Sequence, residues 1–212
     1  MAEQRAFDEV VVLDFETTGL TTDYDRVIEV GAALVKGDEI VDTFSALCDP
    51  GTPIPSFITS LTGITTAMVK GQPTPESVMR EFYYFIGDRP ILAHNASFDS
   101  RFLNAEMSRV DLTPENPTLC TMLLARRLIH DATDHKLGTL KRYINFQTEA
   151  GHKDHRALDD VKVTVALWIH LRDVLEELTG TREHDISTYQ KLSRISKNKL
   201  KSELEKLSRQ FA

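Results

Sequence analysis

The chain has 212 residues, a formal net charge of −7, and 41% hydrophobic and 27% charged residues. These values allow one substantial domain with a real core plus an appendage. No segment approaches the ~18 apolar residues of a membrane span, and the first residues lack the apolar stretch of a secretory signal. Cys48 and Cys120 lack metal-site spacing, so we expect a reduced, cytoplasmic protein with no membrane partner.

Charge is distributed unevenly along the chain. Residues 1–188 carry a net charge of −12, whereas residues 189–212 carry +5. An acidic body suits a metal site better than a broad phosphate-binding surface, because bound divalent ions would reverse the sign of the field locally.

The first third of the chain predicts strands followed by a loop-rich stretch. Apolar runs predict strands at 9–16, Val27–Lys36 and Glu39–Leu47, with a hairpin turn at Lys36-Gly37-Asp38. Residues 49–75 are rich in proline and glycine, which predicts loops and short helical turns.

Helices dominate the remainder of the prediction. Residues 91–94 predict a short buried strand, and residues 181–188 predict a linker before a last short helix. The strongest helix is expected at 157–178, stopped by Gly180. Caps and apolar periodicity predict the other helices at Pro75–Ile86, at Ser97–Ser108 with Ser97 as the N-cap, at 121–129 and at 137–146.

This order of elements indicates the fold class. Strands bunched early and then mixed with helices predict an α/β domain with a mixed sheet. A three-stranded antiparallel meander plus parallel strands, flanked by helices, fits a ribonuclease-H-like fold. A doubly wound fold would need a helix after each strand, and none fits between 16 and 26 or between 36 and 39. We predict this domain over 1–180 and a basic, helical extension over 181–212.

Two acids lie two residues apart in the first strand. Side chains alternate across a strand, so Asp14 and Glu16 point the same way, while Val11, Leu13 and Phe15 fill the other face. At about 4 Å and an effective dielectric near 20, two ionised carboxylates repel by about 4 kcal/mol. Either one holds a proton or a bound cation takes up the charge, and oxygen ligands favour Mg²⁺ or Mn²⁺.

A third acid follows from helical periodicity. On a wheel of residues 157–178, Asp160 falls inside the apolar arc, between the directions of Leu167 and Leu171, whereas Asp159 falls opposite. We therefore predict that Asp160 is the buried carboxylate and that Asp159 is a solvated surface charge. A metal shared with Asp14 and Glu16 would satisfy Asp160, since a buried unpaired carboxylate is costly.

Two further candidates come from positions beside these acids. Asp99 begins a helix directly after a buried strand, where site residues collect in α/β sheets, although an acid in a first helical turn also explains it. His155 cannot share the direction of Asp160 in a continuous helix, so we place it in a preceding loop. There it would suit the role of general base, whereas His152 is expected to be simply exposed.

These residues form a recognisable set. Asp14-Phe15-Glu16-Thr17-Thr18-Gly19-Leu20, then His94-Asn95-Ala96-Ser97-Phe98-Asp99, then His155-Arg156-Ala157-Leu158-Asp159-Asp160 resemble the three motifs of the DEDDh 3′→5′ exonucleases. Several flanking stretches look most like the exonuclease X branch of that family. The resemblance covers residues 8–178, and the order, spacing and flanks of the motifs agree.

The resemblance implies a metal-dependent nuclease. It implies that Asp14, Glu16, Asp99 and Asp160 bind two divalent cations, Mg²⁺ or Mn²⁺, and that His155 deprotonates the attacking water. The product would be a nucleoside 5′-monophosphate from the 3′ end of DNA. Substrate contacts are implied at six positions, where Leu20 would wedge against the terminal base: Thr17, Leu20, Thr62, Ile64, Asn95 and Phe98.

Other readings of the sequence remain open. The same residues would serve an exoribonuclease, since the contact that distinguishes a 2′-hydroxyl cannot be located. An adaptor without catalysis should have lost at least one of the four acids or the histidine, and none is lost. The apolar stripe of residues 189–212 predicts either a helix packed back on the domain or a basic segment that contacts phosphates, a polymerase or another partner.

Overall fold

The computed structural model describes residues 9–147 and 155–210. Its strands are β1 (Glu9–Thr17), β2 (Val27–Lys36), β3 (Glu39–Leu47), β4 (Ile91–Ala93) and β5 (Thr118–Cys120). Its helices are α1 (Ser56–Thr62), α2 (Thr66–Val69), α3 (Pro75–Ile86), α4 (Ser97–Ser108), α5 (Thr121–Leu128), α6 (Leu137–Tyr143), α7 (Ala157–Thr179), α8 (Ile186–Arg194) and α9 (Lys197–Gln210).

The five strands form one mixed sheet in the order β3-β2-β1-β4-β5. The first three make an antiparallel meander, and β4 and β5 continue the sheet in parallel. Helices cover both faces, which confirms the predicted ribonuclease-H-like fold class. The three-residue strand β5 was not predicted from the sequence, because so short a run carries no measurable alternation.

Strand β1 is the centre of the molecule and is apolar on both faces. Val11, Leu13 and Phe15 enter a core with α3 and α4, while Val10 and Val12 enter a second core with α5 and α7. This double burial confirms the two-sided character that the sequence predicted. Asp14 and Glu16 continue the face of Val10 and Val12, and they therefore lie on the side of the sheet that α7 covers.

Helix boundaries differ from the prediction by a few residues where backbone geometry decides. The N-cap of α4 is Ala96 rather than Ser97, and it makes no side-chain cap bond. Helix α6 ends at Tyr143, before Asn145 takes a positive φ of 52°. Helix α7 runs to Thr179 and is closed by Gly180 in the left-handed region, as the glycine stop predicts.

The C-terminal stripe packs against the body of the protein. Tyr189, Leu192, Leu200 and Leu207 are buried in the core that contains Trp168, and the rings of Trp168 and Tyr189 lie 4.8 Å apart. The lysines and arginines of this segment stay exposed. The contacts agree with the packing alternative for the stripe. In the ranges that the structure describes, no helix combines the length and apolarity needed to cross a membrane.

Candidate active site

The two acids of β1 lie side by side against the first turn of α7. Glu16 is 9% exposed, and Asp14 is partly buried. In residues 9–147 and 155–210, no lysine or arginine forms an ion pair with Asp14, Glu16 or Asp99. Their placement together on one face is the arrangement that the alternation of β1 predicted.

Asp99 approaches β1 from α4 through a gap in the sheet. The backbone N–H groups of Val11 and Phe15 point towards the β4 edge of β1, and Val11 is paired there with Pro90. On β1, strand β4 pairs with Val11 and Val12 alone, so the β4 side of β1 beyond Val12 has no strand partner among the described residues. Asp99, which is 2% exposed, accepts the N–H of Phe15 at 3.2 Å. The carboxylate of Asp99 is thereby held near Asp14 and Glu16, the two neighbours of Phe15 in the chain.

His155 and Asp160 meet at the start of α7. His155 lies before the helix at φ 60°, as its predicted place in a loop requires, and its N–H donates to Asp160 Oδ2 at 3.1 Å. Possible ligand atoms of Glu16, His155 and Asp160 all lie within 4.8 Å of one another. Asp14 and Asp99 flank this group without belonging to it. His152 lies outside the described residues.

The exposure predicted for the two neighbouring acids of α7 was wrong. Asp159 and Asp160 are both half-buried, so the wheel of α7 does not separate the two acids by exposure. What distinguishes them is direction. Asp160 faces Glu16 and the N–H of His155. Asp159 lies near the guanidinium of Arg156, where its charge adds to the effect of Glu29 in raising the pKa of that arginine.

The acid cluster of Asp14, Glu16 and Asp99 has pKa values above those of ordinary carboxyl groups. Burial raises the pKa of Glu16 to about 8, and repulsion from Asp160 and Glu29 adds to the rise. Burial also raises the pKa of Asp99 to about 7, against the stabilising N–H of Phe15. The pKa of Asp14 is raised well above its usual value by burial and then by Asp99 and Glu16. A positive charge placed beside these three carboxyl groups would therefore favour their ionised forms.

The donor set fits hard divalent cations. Four carboxylates and one imidazole lie close together, and oxygen-rich sets of this kind suit Mg²⁺ and Mn²⁺ better than softer metals. A cation between the acids would replace the protons that burial and repulsion force onto them. The observation that supports the fit is geometric: possible ligand atoms of Glu16, His155 and Asp160 lie within 4.8 Å of one another.

Two residues of this neighbourhood were missed by the sequence analysis. Glu29 of β2 is directly opposite Glu16 and pairs with Arg156 at 2.6 Å. The signal was present, because Glu29 interrupts the apolar run of β2 as Asp14 interrupts that of β1. Its partner lies 127 residues away, and local periodicity cannot reveal such a pairing.

The predicted substrate residues are placed in different ways. Leu20 is 73% exposed, and Asn95 is exposed with φ 72°. Thr17 is buried, and its hydroxyl donates to Gly19 O at 2.5 Å. Phe98 is half-buried against Phe102, with ring centroids 4.9 Å apart.

The loop after α1 presents little side-chain surface. Thr62 is buried, donates its hydroxyl to Ile58 O and accepts the N–H of Ile64. Ile64 is fully buried in a small core with Ile28 and Ile58. In this conformation the loop therefore offers its backbone, rather than these two side chains, to a ligand.

The loop that carries Leu20 is organised by Asp25. Its carboxylate accepts the hydroxyl of Thr18 at 3.0 Å and the N–H of Thr21 at 2.8 Å. A Cβ atom on Gly19 would lie 2.5 Å from the same carboxylate, so a larger residue at this position would displace the Asp25 side chain. The exposed leucine is thus mounted on a fixed loop at the end of β1.

Comparison with known proteins places most of the chain in one family. The exonuclease family model matches residues 11–168. The DNA polymerase III PolC-type of Caldanaerobacter subterraneus subsp. tengcongensis is 42% identical over 170 residues, which are 80% of this chain and 12% of that protein. The PolC-type polymerase of Bacillus subtilis is 39% identical over 178 residues, 82% of this chain and 12% of that protein. The chain thus spans about an eighth of the length of these relatives.

Solved structures share the fold. Exonuclease X in complex with 5′ overhanging duplex DNA is 31% identical, with a TM-score of 0.67, and the match covers 87% of this chain and 99% of that one. E. coli exonuclease I in complex with a dT13 oligonucleotide is 16% identical, with a TM-score of 0.70, and covers 81% of this chain and 42% of that one; this likeness concerns the fold alone. By the family match and by its likeness to exonuclease X, the chain belongs to the exonuclease family and carries a nuclease domain of the hydrolase class.

Proposed function

We propose that this domain hydrolyses phosphodiester bonds at the 3′ ends of DNA and releases nucleoside 5′-monophosphates, working from 3′ to 5′. The observation that carries the proposal is the convergence of Glu16, His155 and Asp160 within 4.8 Å, flanked by Asp14 and Asp99, in a member of the exonuclease family. We propose single-stranded or frayed ends as the substrate, because the exposed Leu20 can contact an unpaired terminal base.

In this proposal Asp14, Glu16, Asp99 and Asp160 hold two divalent cations, Mg²⁺ or Mn²⁺. The cations, when bound, would supply Lewis-acid stabilisation of charge on the oxygens around the scissile phosphorus. The protein contributes fixed positions for the carboxylates. Asp99 is held by the N–H of Phe15, and Asp160 is held by the N–H of His155.

His155 is proposed as the general base. His155 is exposed, and its backbone N–H donates to the Asp160 carboxylate. The imidazole would take a proton from the attacking water as the new P–O bond forms. The bond to the 3′-oxygen of the preceding nucleotide breaks, and that oxygen leaves with a proton from solvent.

The 3′ end is proposed to lie between two exposed side chains. Leu20, on the loop fixed by Asp25, would stack on the terminal base by apolar contact. Asn95, directly after β4, would contact the nucleotide from the opposite side, with Thr17 and Phe98 shaping the floor. The loop of Thr62 and Ile64 would contribute backbone groups, because both side chains are buried.

DNA is favoured over RNA as the substrate by the relatives. The curated relatives are DNA polymerases by name, and the 31% identical structure is described as bound to duplex DNA. We therefore propose a role in trimming or proofreading DNA ends, with a polymerase as the possible functional context. We further propose that residues 1–180 carry catalysis and that residues 181–212 are an appended basic segment. Its apolar stripe is covered by the domain, which leaves its exposed cations for phosphate contact.

The test is digestion of a 3′-labelled oligonucleotide with Mn²⁺, with and without chelator, on DNA and RNA of the same sequence. Asp160→Asn should lower turnover by about 1000-fold or more. The matched variant Asp159→Asn, one residue away, should stay within about twofold of wild type. Equal losses in the two variants, or digestion that survives the chelator, would contradict the proposed site.

A further inference from the structure

The start of α7 is attached to β2 by a buried carboxylate. Glu29 is 3% exposed, and its oxygens accept Arg156 Nη2 at 2.6 Å and Arg156 Nε at 3.1 Å. The same carboxylate accepts the N–H of Ala157, the first residue of the helix, at 3.0 Å. Arg156 is the N-cap of α7 and makes no side-chain cap bond of its own. Glu29 therefore supplies the cap from another strand.

A second contact lies two residues along β2. A Cβ atom on Gly31 would lie 2.3 Å from the carbonyl carbon of Ala157 and 2.4 Å from the backbone nitrogen of Leu158. Both are backbone atoms, which cannot move aside unless the helix moves. The first turn of α7 therefore rests directly on the bare backbone of Gly31.

The register of the sheet places this attachment beside the acid cluster. In the β1–β2 ladder, Glu16 is opposite Glu29 and Asp14 is opposite Gly31. Opposite residues of an antiparallel pair point to the same face. Asp14 and Glu16 therefore lie beside Gly31 and Glu29, the two residues of β2 that contact the start of α7.

The position of Arg156 controls both functional groups of the helix start. The carbonyl oxygen of Arg156 accepts the N–H of Asp160 at 3.0 Å. The preceding residue, His155, is held at φ 60° with its N–H on Asp160 Oδ2 at 3.1 Å. A shift of Arg156 would therefore displace the His155 ring and the Asp160 carboxylate together.

We propose that Glu29, Arg156 and Gly31 are positioning residues for the nuclease reaction. They set the distance between the helix start, with His155 and Asp160, and the acids of β1. Glu29 does not bind cations itself, because Arg156 and the N–H of Ala157 occupy its oxygens. This inference rests on the proposed function, and it assigns a role to a charge that the three sequence motifs do not contain.

The test compares four variants by steady-state digestion of a 3′-labelled oligonucleotide, Mn²⁺ titration calorimetry and thermal unfolding. Glu29→Ala and Gly31→Ala should lower kcat by about 100-fold, because a misplacement of about 1 Å has this effect, with KM within about twofold. Glu29→Gln keeps the shape and one acceptor oxygen, so its kcat should fall by about 10-fold. Glu29→Ala should also weaken Mn²⁺ binding by about 10-fold or more.

The matched control is Asp38→Asn. Asp38 anchors the same helix at its other end, through Arg172 at 3.0 Å and Arg182 at 2.9 Å. Arg172 is 16 residues beyond Arg156, which is about 24 Å along the helix. Asp38→Asn should lower the melting temperature slightly and leave kcat and Mn²⁺ binding unchanged.

The outcomes separate this inference from the proposed function. If Glu29→Gln and Glu29→Ala keep wild-type kcat and Mn²⁺ affinity and lose only thermal stability, or if Asp38→Asn lowers kcat equally, the positioning role is refuted. If wild type digests neither DNA nor RNA, the proposed function fails. The positioning role is then judged by Mn²⁺ affinity, which should still fall in Glu29→Ala and not in Asp38→Asn.

Discussion

The buried acid Glu106 and the acid cluster of Asp14, Glu16 and Asp99 differ in how their charge is balanced. Glu106 of α4 is 0% exposed, and it pairs with Arg26 at 2.9 Å and with Arg109 at 3.3 Å. It also accepts the N–H of Val27 at 3.1 Å. Glu16 is buried almost as well, but neither lysine nor arginine pairs with it in the part of the chain that the structure describes.

This difference in charge balance indicates different roles for Glu106 and for the acid cluster. The charge of Glu106 is neutralised by the protein, so it fastens the start of β2 to α4 and needs nothing more. Asp14, Glu16 and Asp99 have no such arginine, and burial raises the pKa of each, with neighbouring acids adding to the rise for Asp14 and Glu16. A buried acid with its own arginine holds the fold, whereas a buried acid without one is poised for a cation.

The largest expected effect comes from Asp14→Asn, which removes one acid of the cluster. This change should lower nuclease turnover by about 1000-fold or more, because one proposed carboxylate ligand of the cations is lost. It should also raise the melting temperature of the chelator-treated protein at pH 8 by about 2–4 °C, because a source of repulsion is removed. Turnover and differential scanning calorimetry measure the two effects. A variant that is both active and destabilised would contradict the distinction.

The converse change is Glu106→Gln. It should lower the free energy of unfolding by about 3 kcal/mol, because Arg26 and Arg109 lose their buried counter-charge. Denaturant titration measures this loss. Below the melting temperature the variant should keep more than about a tenth of wild-type turnover, since no group of the cleft is altered. A stability equal to that of wild type would show that the arginine pairs contribute nothing.

A smaller effect is expected from pH. Unfolded carboxyl groups release protons near pH 4, whereas the pKa is about 8 for Glu16 and about 7 for Asp99 in the folded chain. The folded protein therefore binds more protons than the unfolded chain between about pH 4 and pH 8, and its stability falls as pH rises through that window. With chelator present, the melting temperature should drop by several degrees from pH 5 to pH 8.

Divalent cations supply the control for that pH series. Mg²⁺ or Mn²⁺ needs the deprotonated carboxylates, so it should raise the melting temperature more at pH 8 than at pH 5. Glu16→Gln should show a shallower decline with pH in the presence of chelator. A melting temperature that stays level or rises between pH 5 and pH 8 in wild type would argue against the raised pKa values.

The sequence predicted those parts that repeat with a regular period. Strand β2 and helix α3 were predicted with their exact bounds, since long apolar patterns are unambiguous. The alternation in β1 placed Asp14 and Glu16 together, and the break in helical periodicity placed His155 before α7. The direction of Asp160 was correct, although its exposure was not.

The rest depended on contacts between distant segments. Glu29 and Arg156 are 127 residues apart, and Arg26 and Glu106 are 80 apart. No local pattern signals which acid meets which arginine. The burial of Ile64 likewise follows from its packing with Ile58 of α1 against Ile28. These are the features that decide which predicted side chains can reach a ligand.

The brevity of β4 has a consequence for how such a domain can change. Because β4 has only three residues, the N–H of Phe15 remains available to Asp99. A two-residue insertion that prolonged β4 would give that N–H an ordinary ladder partner and evict Asp99 from its seat. Catalysis could thus be silenced while every acid is retained, so an inventory of motif letters would still count the domain as a working nuclease. The length of β4 therefore matters to the site as much as the identity of its acids.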